Sequence, residues 1–326
     1  MMKDTIFQFF DTTQSHQIID WLNEGTDVNL SNVKNSLKGF LALYLQRVRK
    51  RTCLYVTASD AEAAQKMKNL EKWGKNNVYF FPLEPVHDYF SDAYSPEITC
   101  KRMAVIEKVF QKKPIVICTS AEALLKKMPA PGELKNRFLS LAQGQTIEPD
   151  MLAERLVDMG YLRVEQVETL GQFARRGEIL DIFPITAEDG VRIDFFDDEI
   201  ESLARFEILS QRSVKPVKRV KLSPVRETVL DRKERGGALK RLQEKYAGDP
   251  VYSDLLEKTL AEEGEHDETL GAFYKRESNF IEYLQEDSLI FWDECDRSRE
   301  VTRLFFKKTW DDFETLINAG EMFPDE

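Results

Sequence analysis

The stretch Gly171-Gln-Phe-Ala-Arg-Arg-Gly-Glu-Ile-Leu-Asp-Ile-Phe-Pro184, running on into Val191-Arg-Ile-Asp-Phe-Phe-Asp-Asp-Glu-Ile200, reads as a β-meander. Val191, Ile193 and Phe195 alternate with Arg192, Asp194 and Phe196, which is the period of a half-buried strand. Asp197-Asp198 falls where a tight two-residue turn belongs, because Asp tolerates the positive φ such turns demand. Thr186 to Gly190 is a polar loop that closes the preceding hairpin. The face carrying Arg192 and Asp194 is therefore expected to be the outer one, with Arg175-Arg176-Gly177 at the start of the first strand. A flat, charged sheet face with arginines at its rim suits protein docking. Taken singly, Arg192 and Asp194 read as well as a same-face pair on a solvated strand, worth about a few tenths of a kcal/mol.

The chain has 326 residues, 42% of them hydrophobic, so two or three folded domains with ample core are expected. Its net charge is −11, which argues against nucleic acid as the main partner of the whole chain. The stretch from Arg205 to Arg226 is nonetheless locally basic, with Arg212, Lys215, Lys218, Arg219 and Lys221; acidic residues gather between Glu257 and Glu268. Cys53, Cys100, Cys118 and Cys295 have no paired spacing, so reduced thiols are expected and no metal site. The start lacks the apolar core of a signal peptide, and no run reaches the length of a membrane span. A soluble, cytoplasmic protein without membrane partners is expected.

Ahead of the meander, strands alternate with helices. The residues up to about Gly25 read as helical, and Val28 to Gly39 as a short strand and a polar loop leading into a helix over Phe40 to Arg47. Cys53–Thr57, Val78–Pro82 and Ile115–Thr119 read as buried strands; Ala61–Trp73, Glu97–Phe110 and Ala121–Met128 read as helices. The alternation predicts a parallel sheet with right-handed crossovers. Beyond Pro131, Arg137–Leu141 reads as a strand and Pro149–Met159 as a helix leading into the meander. After it come helices over Glu227–Tyr246 and Tyr252–Glu263. An apolar strand then runs from Phe280 to Asp293-Glu294, and a last helix, Arg299–Ile317, has Leu304, Phe305, Trp310, Phe313 and Leu316 as its core face. A strand ending in two carboxylates has the form of a Walker B motif, in which one holds Mg²⁺ and the other positions an attacking water. Acidic strand ends are common, and Asp293-Glu294 reads as well as a cap for the following helix.

The run Ala174-Arg-Arg-Gly-Glu-Ile-Leu-Asp-Ile-Phe-Pro184, with Arg192-Ile-Asp-Phe-Phe-Asp-Asp-Glu-Ile-Glu201, resembles domain 2 of two related bacterial DNA-repair families, UvrB and the transcription-repair coupling factor (Mfd). Ser210-Gln-Arg212 resembles the coupling-factor version. The resemblance runs from about Val28 to the end. It implies an α/β fold: a degenerate RecA-like, P-loop NTPase-like parallel sheet with an inserted small α+β domain. Its boundaries would be residues 1–131 (domain 1A), 132–222 (domain 2, docking UvrA) and 223–326 (domain 1B, completing the RecA-like fold).

Against the UvrB pattern, the two outer glycines of the phosphate loop fall on Asn29 and Asn32, the inner glycine on Lys34, the lysine on Asn35 and the threonine on Ser36. A P-loop needs glycines so that backbone N–H groups can wrap the phosphates, and a lysine to reach them. Only the hydroxyl remains, so the loop reads as inactive and Asp293-Glu294 as a relic, with neither catalytic residues nor a bound cofactor expected. The connection from Leu83 to Pro96 is too short for the DNA-clamping hairpin of UvrB.

The implied function is that of a non-catalytic adaptor, mimicking UvrB, that recruits UvrA to stalled RNA polymerase in nucleotide excision repair. ATP, Mg²⁺, DNA and RNA polymerase are implied only for the translocase part of a longer protein. Position-matching gives Arg163, Arg176, Phe183, Arg192 and Asp194 as UvrA contacts, with Phe183 equally well a core residue. Arginine suits this role because its fork grips carboxylates bidentately. The competing readings are a UvrB-type ATP-dependent damage verifier, and a DNA-binding module working through Arg205 to Arg226.

Overall fold

The computed structural model describes residues 7–8, 10–74, 77–84, 96–227, 232–261 and 277–324. In chain order its strands are β1 (Cys53–Thr57), β2 (Val78–Phe81), β3 (Val116–Ser120), β4 (Met128–Pro129), β5 (Leu139–Ala142), β6 (Leu162–Arg163) and β7 (Gln172–Arg176). They continue with β8 (Ile179–Ile182), β9 (Gly190–Phe196), β10 (Glu199–Phe206), β11 (Ser213–Pro216), β12 (Arg219–Leu222), β13 (Glu277–Ser278) and β14 (Leu289–Trp292). The chain is α/β and divides into two compact units.

The first unit comprises residues 1–86, 105–126 and 280–307. Its sheet has the order β14-β1-β3-β2 and every pair is parallel. All five residues of β1 and of β3 are buried, as continuous apolar runs flanked by neighbours on both sides require. The helices Asn35–Arg49 and Asp60–Gly74 pack on it, with Leu41, Leu43, Leu45 and Leu70 in the core. Gly39 lets them approach closely, since a Cβ there would lie 3.1 Å from the Lys66 stem and 3.2 Å from Leu70.

The second unit comprises residues 87–104, 127–279 and 308–326. Its six-stranded sheet has the order β11-β10-β9-β8-β7-β6, antiparallel except for β6 with β7. Phe173, Leu180, Ile182, Val191, Ile193, Phe195, Ile200 and Leu203 form its inner face. The amphipathic helix Pro149–Asp158 covers that face through Leu152, Ala153 and Leu156; β5 and β12 add Leu139, Leu141, Val220 and Leu222. Fully burying one such side chain contributes about 1.5–3 kcal/mol, so this layer dominates the stability of the sheet. The β9–β10 hairpin turns at Asp197-Asp198, with Asp197 at φ +53°, as its sequence expects. Gly190 is fixed by packing, because a Cβ would sit 2.3 Å from the ring of Phe206, its cross-strand partner.

Several local expectations fail. Arg175 and Arg176 end β7 rather than start it, and Gly177, at φ +60°, begins the turn into β8. No strand forms between Val28 and Gly39, and the helix expected from Phe40 already starts at Asn35. Ala121–Met128 holds only a 3₁₀ turn at Glu122–Leu124, because Met128 and Pro129 pair with Ser278 and Glu277 and pull the segment out of helical geometry. Of the long apolar run, only Leu289–Trp292 is strand, while Phe280–Tyr283 is a 3₁₀ turn with Phe280 stacked on Phe81. The last helix spans Cys295–Ala319, but Leu304 and Trp310 are 54% and 59% exposed, so its apolar stripe is not the core face that the periodicity predicts. The 83–96 connection, but for its ends, and the later part of the acidic stretch, 262–268, lie outside the described residues.

Candidate docking face and a closed carboxylate cluster

The first unit carries a charged cluster at the end of β14. Residues 26–34 arrive as irregular chain, with Asn32 at φ +59°, and the helix starts at Asn35. Lys38 lies one turn along it and donates to Asp293 Oδ1 at 2.6 Å and to Glu294 Oε1 at 3.3 Å. Tyr55, on the neighbouring β1, donates its hydroxyl to Asp293 Oδ2 at 2.6 Å. Lys66 reaches the same oxygen at 3.5 Å, donates to Asn35 Oδ1 at 3.0 Å and lies over the Tyr55 ring. Both oxygens of Asp293 are thus engaged within the chain.

Burial pushes the Asp293 pKa up, but the hydrogen bonds from Lys38 and Tyr55 and the charges of the two lysines outweigh it, leaving a net lowering. Burial likewise opposes the Lys38 ammonium, and its bonds to Asp293 and Glu294 raise its pKa overall. The Asp293 carboxylate faces these cations, and the following helix receives from Asp293 only its carbonyl, bonded by the Ser298 hydroxyl at 3.2 Å. Two ammonium groups stand where a metal-bound nucleotide would need a free carboxylate. Among the described residues no group of three or more His, Cys, Asp and Glu side chains could hold a metal ion.

The second unit presents the outer face of its sheet. Across the strands one row runs Ala174, Asp181, Arg192, Ala204, and the next runs Arg176, Ile179, Asp194, Ser202. Arg192 donates its fork to Asp181 at 2.7 and 2.8 Å, lies 4.9 Å over the Phe206 ring and donates to the Gln211 carbonyl at 3.2 Å. That hydrogen bond to Asp181 raises the Arg192 pKa. Asp181 is only 4% exposed, and both of its carboxylate oxygens accept from Arg192. Asp194 accepts from the Ser202 hydroxyl at 2.5 Å. Phe183 is half-buried against Val167, Ala174 and Phe206, in a small apolar cluster on this side of the sheet. Arg176 is exposed and reaches the Glu165 carbonyl at 3.3 Å.

The structure therefore brings Arg176, Phe183, Arg192 and Asp194 to one face. Arg163 lies apart, exposed on the edge strand β6, in register with Phe173. Of the four, Arg176 alone combines full exposure with a single long carbonyl contact, whereas Arg192 is fastened by three donations. The alternation of β9 sets Phe196, 69% exposed, on this face without marking it as a contact, and sequence reading missed Ile179, 40% exposed, altogether. It also missed Asp181, whose partner Arg192 stands opposite it on the neighbouring strand, and Lys38, Lys66 and Tyr55, whose shared partner Asp293 lies far off in sequence.

Residues 139–227 match the family described as the UvrB interaction domain, which takes in the whole six-stranded sheet. The chain is 28% identical over 262 residues to the transcription-repair-coupling factor of Bacillus subtilis (strain 168), covering 74% of this chain and 22% of that protein. It is 26% identical over 262 residues to the transcription-repair-coupling factor of Staphylococcus aureus (strain USA300), covering 76% of this chain and 22% of that protein. The chain thus spans about a fifth of the length of the curated relatives it matches. The six-stranded sheet, with its buried inner face and charged outer one, thus lies within the stretch that matches the UvrB interaction domain, in a chain similar along most of its length to bacterial transcription-repair-coupling factors.

Proposed function

We propose that this chain is a non-catalytic adaptor segment of a longer, cytoplasmic transcription-repair-coupling factor. In this reading the outer face of the six-stranded sheet docks UvrA and brings it to stalled RNA polymerase. The ATP-driven translocation on DNA and the polymerase contact belong to the remainder of the longer protein. The observation that carries the reading is the UvrB interaction domain match, laid over a face on which Arg176, Ile179 and Phe196 are exposed. Arg176 supplies a guanidinium for a partner carboxylate. Arg192 acts by holding Asp181 and the Phe206 ring in place beneath the face. The closed Asp293 cluster supports the non-catalytic part, since Lys38, Lys66 and Tyr55 take the oxygens a metal would need.

Titration calorimetry with UvrA tests this. Wild type binds, Arg176→Ala weakens binding by about 1–2 kcal/mol, and ATP with Mg²⁺ gives no heat. Binding of ATP, abolished by Asp293→Asn, would return the UvrB-type enzyme reading.

A further inference from the structure

Residues 208–226 carry six basic residues (Arg212, Lys215, Lys218, Arg219, Lys221 and Arg226) and no acidic one, in a chain of net charge −11. The fold pins this segment as a strap. All four residues of β11 are exposed at the free edge of the six-stranded sheet. The Val217 N–H bonds to the Leu203 carbonyl at 2.9 Å, and the Lys218 carbonyl accepts from the Gln143 N–H at 3.1 Å. In β12, Val220 and Leu222 are buried in the core while Arg219 and Lys221 point outward. Lys221 lies 4.8 Å over the Phe138 ring. Among the described residues, Arg212, Lys215, Lys218 and Arg219 form no ion pair. Lys215 moreover stands directly opposite Arg205 on β10, and like charges across a strand pair are destabilising.

Edge protection explains part of this. A lysine and a proline on a short edge strand guard it against further pairing, and Lys215 and Pro216 serve that end. They leave Arg212, Lys218, Arg219 and Lys221 unaccounted for, since none of these lies on that edge strand. We infer that the strap from Arg212 to Lys221 is a contact surface for the phosphate backbone of duplex nucleic acid.

The chemistry selects this polyanion over two others. Sites for single strands interleave aromatic side chains on which bases stack, and residues 207–222 contain none. An acidic protein partner would need a packed anchor, whereas the exposed apolar residues here are the aliphatic Leu209 and Val214, with no aromatic among them. A duplex backbone is held by dispersed Lys and Arg without a pocket and without base reading. The acidic remainder of the chain repels a polyanion, so the contact is confined to the strap. The β11 part of the strap lies at the edge of the sheet opposite β6, so the order of the strands keeps Lys215 apart from Arg163 and Arg176.

The test is fluorescence anisotropy of the whole chain with a labelled mixed-sequence duplex of about 20 base pairs, titrated in rising salt. Five phosphate contacts predict a log–log salt slope near about −4.5, hence about 500-fold weaker binding at about 200 mM than at about 50 mM salt. Lys215→Gln with Arg219→Gln flattens the slope by about 2, and Lys218→Gln alone by about 1. The control pair Lys50→Gln with Lys68→Gln leaves it unchanged. All these side chains are exposed, and a thermal melt verifies that each variant folds. Absence of binding at the lowest salt, a slope the strap variants do not move, tighter binding of a single strand of the same length, or equal displacement by poly-glutamate at equal charge would each overturn the inference.

Discussion

Asp293 and Asp181 are both nearly buried aspartates on sheets, each answered by a cation from elsewhere in the chain, yet their surroundings lead to opposite ends. Around Asp293, two lysines and a tyrosine converge on one carboxylate, and the site is saturated from within. Around Asp181, one arginine makes a planar bidentate pair and lies over Phe206, which levels the sheet face and leaves Arg176, Ile179 and Phe196 facing outward. What separates a closed site from an open surface is which groups remain after the internal pairings are made.

Removing each aspartate breaks the comparison most directly. Asp293→Ala strands two lysines on a largely buried spot and is expected to cost about 3–4 kcal/mol, read as a lowered denaturant midpoint. Asp181→Ala strands one guanidinium, 20% exposed, where Asp293→Ala strands two ammonium groups, and about 2–3 kcal/mol is expected. An equal loss at the two sites would mean that the second lysine adds nothing to the Asp293 cluster. The Asp181→Ala protein should also bind UvrA more weakly, because the ground beneath the face is disturbed. Arg176→Ala sharpens the contrast: it should change stability by less than about 0.5 kcal/mol while weakening UvrA binding.

The smallest effect is the dependence of stability on pH. The lowered Asp293 pKa gives a contribution that is present above the ordinary aspartate value of 3.8 and lost as pH falls through the folded value below it. The raised Lys38 pKa gives one that is fully present below 10.5 and lost as pH rises through the folded value above it. The stability difference between wild type and Lys38→Met should therefore stay flat near neutrality and shrink at both extremes. A difference that changes between about pH 6 and 8 would show that some other group titrates with the pair.

The meander was legible because its information is local. The alternation from Val191 to Phe196 fixes which side is buried, and Asp197 fixes the turn. The buried strands β1 and β3 announce themselves as short apolar runs between helices. What escaped reading depends on distant partners. Met128 and Pro129 become a strand only because Glu277 and Ser278 arrive beside them, and Lys38 meets Asp293 across 255 positions. The candidate face was legible as a pattern of outward residues, but whether an arginine on it is free or fastened was not. Arg176 and Arg192 look alike in sequence and differ in that Arg192 finds Asp181 within reach.

Gly39 has a consequence for the history of the chain. By letting the Lys66 stem pass within 3.1 Å of where its Cβ would be, it admits a second ammonium to Asp293. A path to a phosphate-binding loop would have to change Asn29, Asn32, Lys34 and Asn35 and also withdraw Lys38 and Lys66. Withdrawing either lysine first removes an ion pair from Asp293 while no nucleotide yet repays the loss. Each early step is downhill in stability with no gain in chemistry, so the closed cluster works as a ratchet against opening a nucleotide site there.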